Sequence, residues 1–443
     1  MKKILVAGAG HGGLVAAAIL AKQGYDVTVY EAKKKEDLGH DWEDRFTFSL
    51  LEKIVGKEIP RVFWRYRGDC AFVSPSFQTK VIVRYDENSR QKMMWRKPLI
   101  GMLLQSAEES GVKFLFETKI LSPMIENGKV VGLVTTAGEI RGDLVIDACG
   151  VHSPVRMNLP DSFGIEKAPR YGDVFYAYRA YFDKACEEET DTPFEVFLCH
   201  EGEQGLSWHL ITEDSVDVLI GRVYPLSGEK VKQELERFRD RHPSTGTKVL
   251  HGGNYGIIPV RRPLPVLVAN GYAAVGDSAF MTTPMNGMGI DLSLQAGLLL
   301  AETAQRCNDF SAEELWEYNK AYHKNLGGEV AKNEGLKNAL LSLTKGGVDF
   351  LFESAVIQAS DLAGAGRNTD LKNLLGKFVR GMKKPKFFFA ILRGLIKGGK
   401  MSALYKKIPD RYDPEKIKIW INKIDRTVLR VPVSEVPITP QAE

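Results

Sequence analysis

The chain opens on an unbroken apolar run, ILVAGAG, followed by a glycine turn and then LVAAAILAKQG, which breaks at Gly24. A continuous run of this kind reads as a strand buried on both faces. The next segment reads as a helix, and YDVTVYE, closing on Glu31, as a second parallel strand. KPLIGMLLQSAEESG then has the spacing of an amphipathic helix, VKFLFETKI that of a strand, and GKVVGLVTTAGEIRGDLVIDACG that of a hairpin leading into a buried strand. Residues 40–75 read as helical and then irregular. From 171 to 223 apolar and aromatic positions alternate through DVFYAYRAYF, FEVFLCH, GLSWHLIT and VDVLIGRV, the period of an antiparallel sheet. A charged helix, KVKQELERFRDRH, follows, and NYGIIPVRRPL leads to AAVGDSAFMTTPMNGMGIDLS and a mostly helical remainder.

These patterns divide the chain into one cofactor-binding domain in three pieces (1–75, 96–170 and 256–345), a sheet domain for the substrate (76–95 and 171–255), and a helical, basic C-terminal region (346–443). With 443 residues, 44% hydrophobic and 26% charged, the composition is that of an ordinary globular protein. A net charge of +4 calls for neither nucleic acid nor an acidic partner. Cys70, Cys149, Cys186, Cys199 and Cys307 are scattered and never in C-x-x-C spacing, which argues against a disulfide framework, a zinc site or an iron–sulfur cluster, so no metal is expected. No signal peptide and no run of about 18 apolar residues are read, so a cytoplasmic location is expected.

Gly8-Ala9-Gly10-His11-Gly12-Gly13 has the form G-x-G-x-x-G. Gly8 permits the tight turn, Gly10 lets backbone approach a pyrophosphate, and Gly13 allows strand and helix to pack closely, with free N–H groups aimed at the phosphates. Gly12 and the backbone of His11 belong to the same cradle. Glu31, with Ala32 beside it, is placed to accept hydrogen bonds from ribose hydroxyls. This unit alone does not separate NAD from FAD.

Two further motifs do. Ala148-Cys149-Gly150-Val151-His152-Ser153-Pro154-Val155-Arg156 and Gly276-Asp277 through Pro284 to Gly287 and Gly289, in this order after the glycine turn, resemble the para-hydroxybenzoate hydroxylase-type flavoprotein superfamily. The resemblance implies FAD in a Rossmann-like α/β domain (α+β overall) with an inserted antiparallel substrate sheet. On that pattern Gly150 borders the cofactor, Asp277 accepts from a ribityl hydroxyl, and Pro284 shapes the loop over the ring. Gly287, Met288 and Gly289 present N–H groups to the N1–C2=O edge. Cys149 stands where the superfamily carries Asp, which puts a hydroxylase cycle in doubt; a small strand-end residue and a reactive thiol are the two readings of it.

NYGIIPVRRPL and MMWRKPLIGMLLQSAEESGVKF further resemble the geranylgeranyl reductase family. That likeness places Arg96 at the flavin, Ile120 near the adenine and Ile290 at the ring. It also makes Leu206 and Trp208 of LSWHLI substrate-cavity residues, with Trp208 available for cation–π attraction to developing charge. His209 is the candidate proton donor. The family's cysteine- and glycine-rich loop is absent; LGHDWEDRF (38–46) stands there, either as a different active-site entrance or as a solvated cap for the following helix.

From Leu371 to Pro409 there is no Asp or Glu and there are eleven Lys and Arg. Basic flanks around FFFAILRGLI suit an interfacial segment on anionic lipid at the inner face of a membrane, the alternative being a docked helix with a basic outer side. The resulting expectation is an FAD-dependent reductase of carbon–carbon double bonds in an isoprenoid or similarly apolar substrate, fed by an external donor (NADPH, ferredoxin or quinol). An FAD-dependent monooxygenase of an aromatic or quinone-like substrate is the alternative, and a flavin-binding electron relay without turnover of its own the third reading.

Overall fold

The computed structural model of the protein describes residues 1–85, 91–362 and 371–433. At its centre lies a six-stranded sheet in the order Val268–Ala269, Tyr272–Ala274, Leu144–Asp147, Lys3–Ala7, Asp26–Tyr30, Lys113–Leu115. All pairs are parallel except the first. Ile4 to Ala7 and Leu144 to Ile146 are fully buried, which is why their sequence shows no alternation. The helices His11–Lys22 and Ile290–Ala304 pack against each other beside this sheet.

A seven-stranded sheet forms the second layer system, in the order Thr245–Pro259, Val174–Lys184, Val216–Arg222, Gly205–Ile211, Phe194–Leu198, Cys70–Val73, Lys80–Val83. One face is covered by the helix Gly228–Arg241 through Val231, Leu235 and Phe238. The other face is turned to the cavity described below. The strand Cys70–Val73 pairs in parallel with Phe194–Leu198, and Thr245–Pro259 continues past 255, so the expected boundaries at 75 and 255 cut into this sheet's own segments. Residues 40–75 are also less helical than expected. Only Phe48–Val55 is an α-helix, flanked by the strands Glu43–Arg45 and Trp64–Arg67, whose charged sequences hide their strand character.

Charge ties the segment after the seven-stranded sheet to its neighbours. In NYGIIPVRRPL, Arg261 donates to Glu166 (2.8 and 2.7 Å) and Asp173 (2.9 Å), and Arg262 to Glu334 (3.1 Å) and Asp425 (3.3 Å). Removing one partner of the buried Arg262–Glu334 pair costs about 3–5 kcal/mol, so that contact fixes where Gly328–Leu341 docks, while the half-exposed Asp425 adds a weaker tie to the last helix. Pro385–Lys406 is one continuous helix lying on Gly328–Leu341. The contact is made of small residues: a Cβ on Gly335 would lie 2.3 Å from the Gly394 carbonyl oxygen, and one on Gly398 2.2 Å from that of Lys332. Among the described residues no helix is long and apolar enough to cross a membrane.

Burial pushes the Glu166 carboxyl up, but Arg261 outweighs it and holds the group down at about 2. Its stabilisation is therefore complete above the ordinary value of 4.5 and is lost as pH falls towards 2. Glu166→Gln is expected to lower stability at pH 7 while flattening the loss between pH 4.5 and 2, read as urea midpoints across that range. A variant with unchanged pH dependence would contradict the assignment.

Candidate functional site

Two helix N-termini open on one cavity. His11–Lys22 begins after Gly10 and Ile290–Ala304 after Gly289, and neither first turn is capped by a side chain. Their N–H groups are thus left for a ligand carrying negative charge. The helices are brought together by an all-backbone contact. A Cβ on Gly12 would stand 2.5 Å from the Ser293 carbonyl oxygen, and one on Gly297 2.4 Å from that of Gly12. Gly13 packs on Ala148 and Val6, while Gly8 holds the turn at φ +84°. Around the loop at 282–288, the Gly287 N–H is used by the Thr283 carbonyl (2.9 Å) and that of Met288 by Asn286 (3.3 Å). Of the three N–H groups expected to face the flavin, that of Gly289 alone has no partner among the described residues.

The Glu31 carboxylate closes the glycine turn, accepting from the N–H groups of Ala9 and Lys33 (both 2.9 Å). Ala32 beside it is exposed, and Ile120 is buried at the start of the strand Ile120–Glu126. Arg96 opens a helix and pairs with Asp44 at 2.7 Å. Burial raises the Asp277 carboxyl to about 6, against the pull of Arg96, and lowers His11 to about 3. The buried Nε2 of His11 has no partner. Pro284 is buried behind its loop, and Met288 and Ile290 line the cavity with Gly10, Gly12, Gly150, Asp277, Gly287 and Gly289.

The middle motif is organised by a residue that sequence reasoning passed over. Asp147 is fully buried and accepts from Ser153 Oγ (2.6 Å), Tyr272 OH (2.9 Å), Ser278 Oγ (3.0 Å) and the Cys149 N–H (3.1 Å). Ser278 in turn accepts from the Gly150 N–H at 2.9 Å. An acid inside the apolar strand LVID was the available signal. Cys149 is not a wall residue, and burial, then Asp147, pushes its thiol well above the ordinary range, as befits a small strand-end residue.

The cavity measures about 800 Å³ and runs from the two helix termini across the seven-stranded sheet to the late helices. Phe194, Val196, Leu206, Trp208 and Leu210 line it on the sheet side, and Leu336, Leu340, Ile391 and Leu392 opposite. His40, Trp42, Glu43, Asp44 and Arg45 also line it, so 38–46 forms part of the entrance wall, while Thr47 precedes the helix and bonds Asp291.

His209 does not reach the cavity. Side chains alternate across a strand, so with Leu206, Trp208 and Leu210 inward, His209 points beneath Gly228–Arg241. There it bonds Thr245 Oγ1 (2.9 Å) and stacks on His242 (3.9 Å), and burial lowers its pKa well below the usual value. Trp208 already carries a cation, the Arg179 guanidinium 4.9 Å from its ring, paired with Asp217 at 3.0 and 2.7 Å. That ring is thus a fixed wall element.

A Rossmann sheet with paired helix termini, an acid at the second strand's end and an acid–glycine loop over a long cavity defines an FAD-dependent oxidoreductase. In agreement, residues 97–303 match the family described as FAD dependent oxidoreductase, and residues 6–45 the NAD(P)-binding Rossmann-like domain. Within this class the chain is similar to proteins named as geranylgeranyl reductases. It is 22% identical to the digeranylgeranylglycerophospholipid reductase of Sulfolobus acidocaldarius over 96% of this chain and 97% of the relative. It is 26% identical to that of Methanothrix thermoacetophila over 85% and 95%. In three dimensions it is similar to a geranylgeranyl bacteriochlorophyll reductase-like protein of Thermoplasma acidophilum (TM-score 0.70, 20% identity, 89% of this chain and 99% of the other).

If the backbone contact at Gly12 sets the FAD cleft, Gly297→Ala, which lies outside both glycine motifs, should loosen FAD at least tenfold while circular dichroism stays native-like. Wild-type flavin content in the purified variant would contradict this.

Proposed function

We infer that the protein saturates carbon–carbon double bonds of an isoprenoid or similarly apolar chain, with electrons that an external donor (NADPH, a ferredoxin or a quinol) delivers to FAD. The observation that carries this reading is the continuity of the flavin cleft with a long apolar cavity. FAD, when bound, supplies the hydride. The N-termini of His11–Lys22 and Ile290–Ala304, with Glu31, Arg96 and Asp277, would hold it. Phe194, Val196, Trp208 and Leu210 on one side and Leu336, Leu340, Ile391 and Leu392 on the other hold the chain and exclude water. Arg179, locked between Asp217 and the Glu43 carbonyl (2.7 Å), keeps the Trp208 ring in place. The Sulfolobus and Methanothrix relatives are named digeranylgeranylglycerophospholipid reductases, which favours this reading over a monooxygenase of a single aromatic ring.

The test is anaerobic: the holoenzyme is reduced with dithionite and mixed with a geranylgeranyl compound. Reoxidation with a gain of two hydrogens per double bond is expected, slowed at least tenfold by Trp208→Ala. Reoxidation only when O₂ and an aromatic acceptor are both present would favour the monooxygenase, and none with any acceptor the relay.

The same reading extends to a membrane surface. The helices Leu371–Gly381 and Pro385–Lys406 expose Phe378 (48%), Val379 (64%), Phe389 (49%) and Ile396 (51%) among the basic residues Lys383, Lys384, Lys386, Arg393 and Lys400. Phe388, Ile391, Leu392 and Leu395 of the second helix also line the cavity, so the chain's wall and the exposed apolar face share one element. Each basic side chain near anionic lipid contributes about 1 kcal/mol. Cosedimentation with phosphatidylglycerol vesicles, lost on Phe389→Asp/Ile396→Asp and weak with phosphatidylcholine, is the expected result. Equal binding by the double variant would contradict it.

A further inference from the structure

Saturating a carbon–carbon double bond takes a proton as well as a hydride, and His209, buried on the far face of the sheet, does not reach the cavity to give it. Among the described residues, the carboxyls that line the cavity are those of Glu43, Asp44, Asp217, Asp277 and Asp361. Three are spent on cations within the wall: Asp44 on Arg96 (2.7 Å), Asp217 on Arg179 (3.0 and 2.7 Å) and Asp361 on Lys377 (2.5 and 2.6 Å). Asp277 belongs, by its place in the acid–glycine loop, to the flavin. Glu43 is left.

Glu43 sits where the two halves of the cavity meet. The two residues after it reach the flavin end, Asp44 through Arg96 and Arg45 through the Met288 sulfur at 3.0 Å. Glu43 itself is tied to the substrate sheet. Its N–H donates to the Tyr181 hydroxyl (2.8 Å), and its carbonyl accepts from Arg179 (2.7 Å), whose guanidinium lies on the Trp208 ring. The backbone thus holds this side chain between the flavin loop and the aromatic wall.

The residue is buried, and Arg65 is its cation, with Nε 2.9 Å from Oε2 and Nη2 on the same oxygen. No hydrogen bond reaches Oε1 among the described residues. Burial, with Asp217 nearby, raises the Glu43 carboxyl above its ordinary 4.5 against the pull of Arg65 and Arg179. Asp44 goes the other way: burial raises it, but Arg96 outweighs that and holds it low. An acid must hold its proton until the substrate needs it, and of these two neighbours Glu43 is the one so disposed. Its Arg65 partner is 31% exposed and stands 3.9 Å from the solvent-facing Asp214, so a spent carboxylate is one side chain from the water that restores its proton.

We propose that Glu43 is the catalytic acid of the reduction. Its carboxyl gives a proton to one alkene carbon, where the π electron pair forms the new C–H bond, while the hydride that FAD supplies bonds the other carbon. The alkene gains two electrons, the flavin loses them, and the Glu43 carboxylate, paired with Arg65, regains its proton from water. This rests on the reductase reading, and the test separates the two. Dithionite-reduced holoenzyme is mixed anaerobically with geranylgeraniol or its diphosphate. Glu43→Gln should be reoxidised about a hundredfold more slowly than wild type, with part of the rate restored in Glu43→Asp. Flavin content and the lipid's affinity for the oxidised protein, read by flavin difference spectra, should stay unchanged. The wild-type rate should fall as pH rises through the Glu43 value, above 4.5, and that limb should be missing in Glu43→Gln. Infrared titration of the oxidised holoenzyme needs no turnover: a protonated carboxyl band titrating above pH 4.5 should vanish in Glu43→Gln. A Glu43→Gln rate equal to that of wild type, or a Glu43 carboxyl that titrates below 4.5, overturns the assignment and leaves the reductase reading standing. If neither lipid reoxidises the wild type, the reductase reading falls, and the acid with it.

Discussion

The architecture depends on a crossing at which two helices touch backbone to backbone. Because neither Gly12 nor Gly297 carries a Cβ, His11–Lys22 and Ile290–Ala304 approach until their N-termini, hundreds of residues apart in sequence, share one cleft. A methyl group at either position meets a carbonyl oxygen closer than van der Waals contact allows. Each terminus contributes a partial positive charge and unspent N–H groups, and their coincidence turns two ordinary helix starts into a site for a dinucleotide with an electron-rich ring edge. The sheet domain and late helices then only need to extend that cleft with apolar surface.

Buried charge decides how the extension is held. Asp147 gathers four donors from three separated segments, so the strand end at 147, the turn at 150–153 and the loop after Gly276 form a single unit. Arg261 and Arg262 do the same for the segment at 166–173 and for the helices carrying Glu334 and Asp425. Such networks stabilise little relative to apolar packing, but an incomplete one is costly, and that penalty selects one docking geometry.

The opening β–α–β unit, the three motifs and the aromatic sheet were legible because each has a local signature: an unbroken apolar run, fixed glycine spacing, alternation of period two. What was missed depended on contacts far apart in sequence. His209 was chosen because its strand was expected to face the cavity, but with Trp208 turned inward the alternation along that strand puts His209 on the opposite face. Asp147 looked like the end of a strand, since its donors lie in segments near 153, 272 and 278. The charged strands at 43–45 and 64–67 carry no apolar run, so their strand character was hidden, although 38–46 had been one of two readings for an active-site entrance and does line the cavity. The basic tail was read as either docked or interfacial; Gly335, Gly394 and Gly398 make it docked, and its outer face keeps the apolar and basic character.

The most direct measurement is a crystal structure of the FAD-loaded protein with a saturated geranylgeranyl-type lipid. The chain is expected between Phe194, Trp208 and Leu210 on the sheet and Leu340, Ile391 and Leu392 on the helices, with the ring edge of FAD at the Gly289 N–H. A lipid seated outside this cavity, or a flavin not facing both helix termini, would contradict the account.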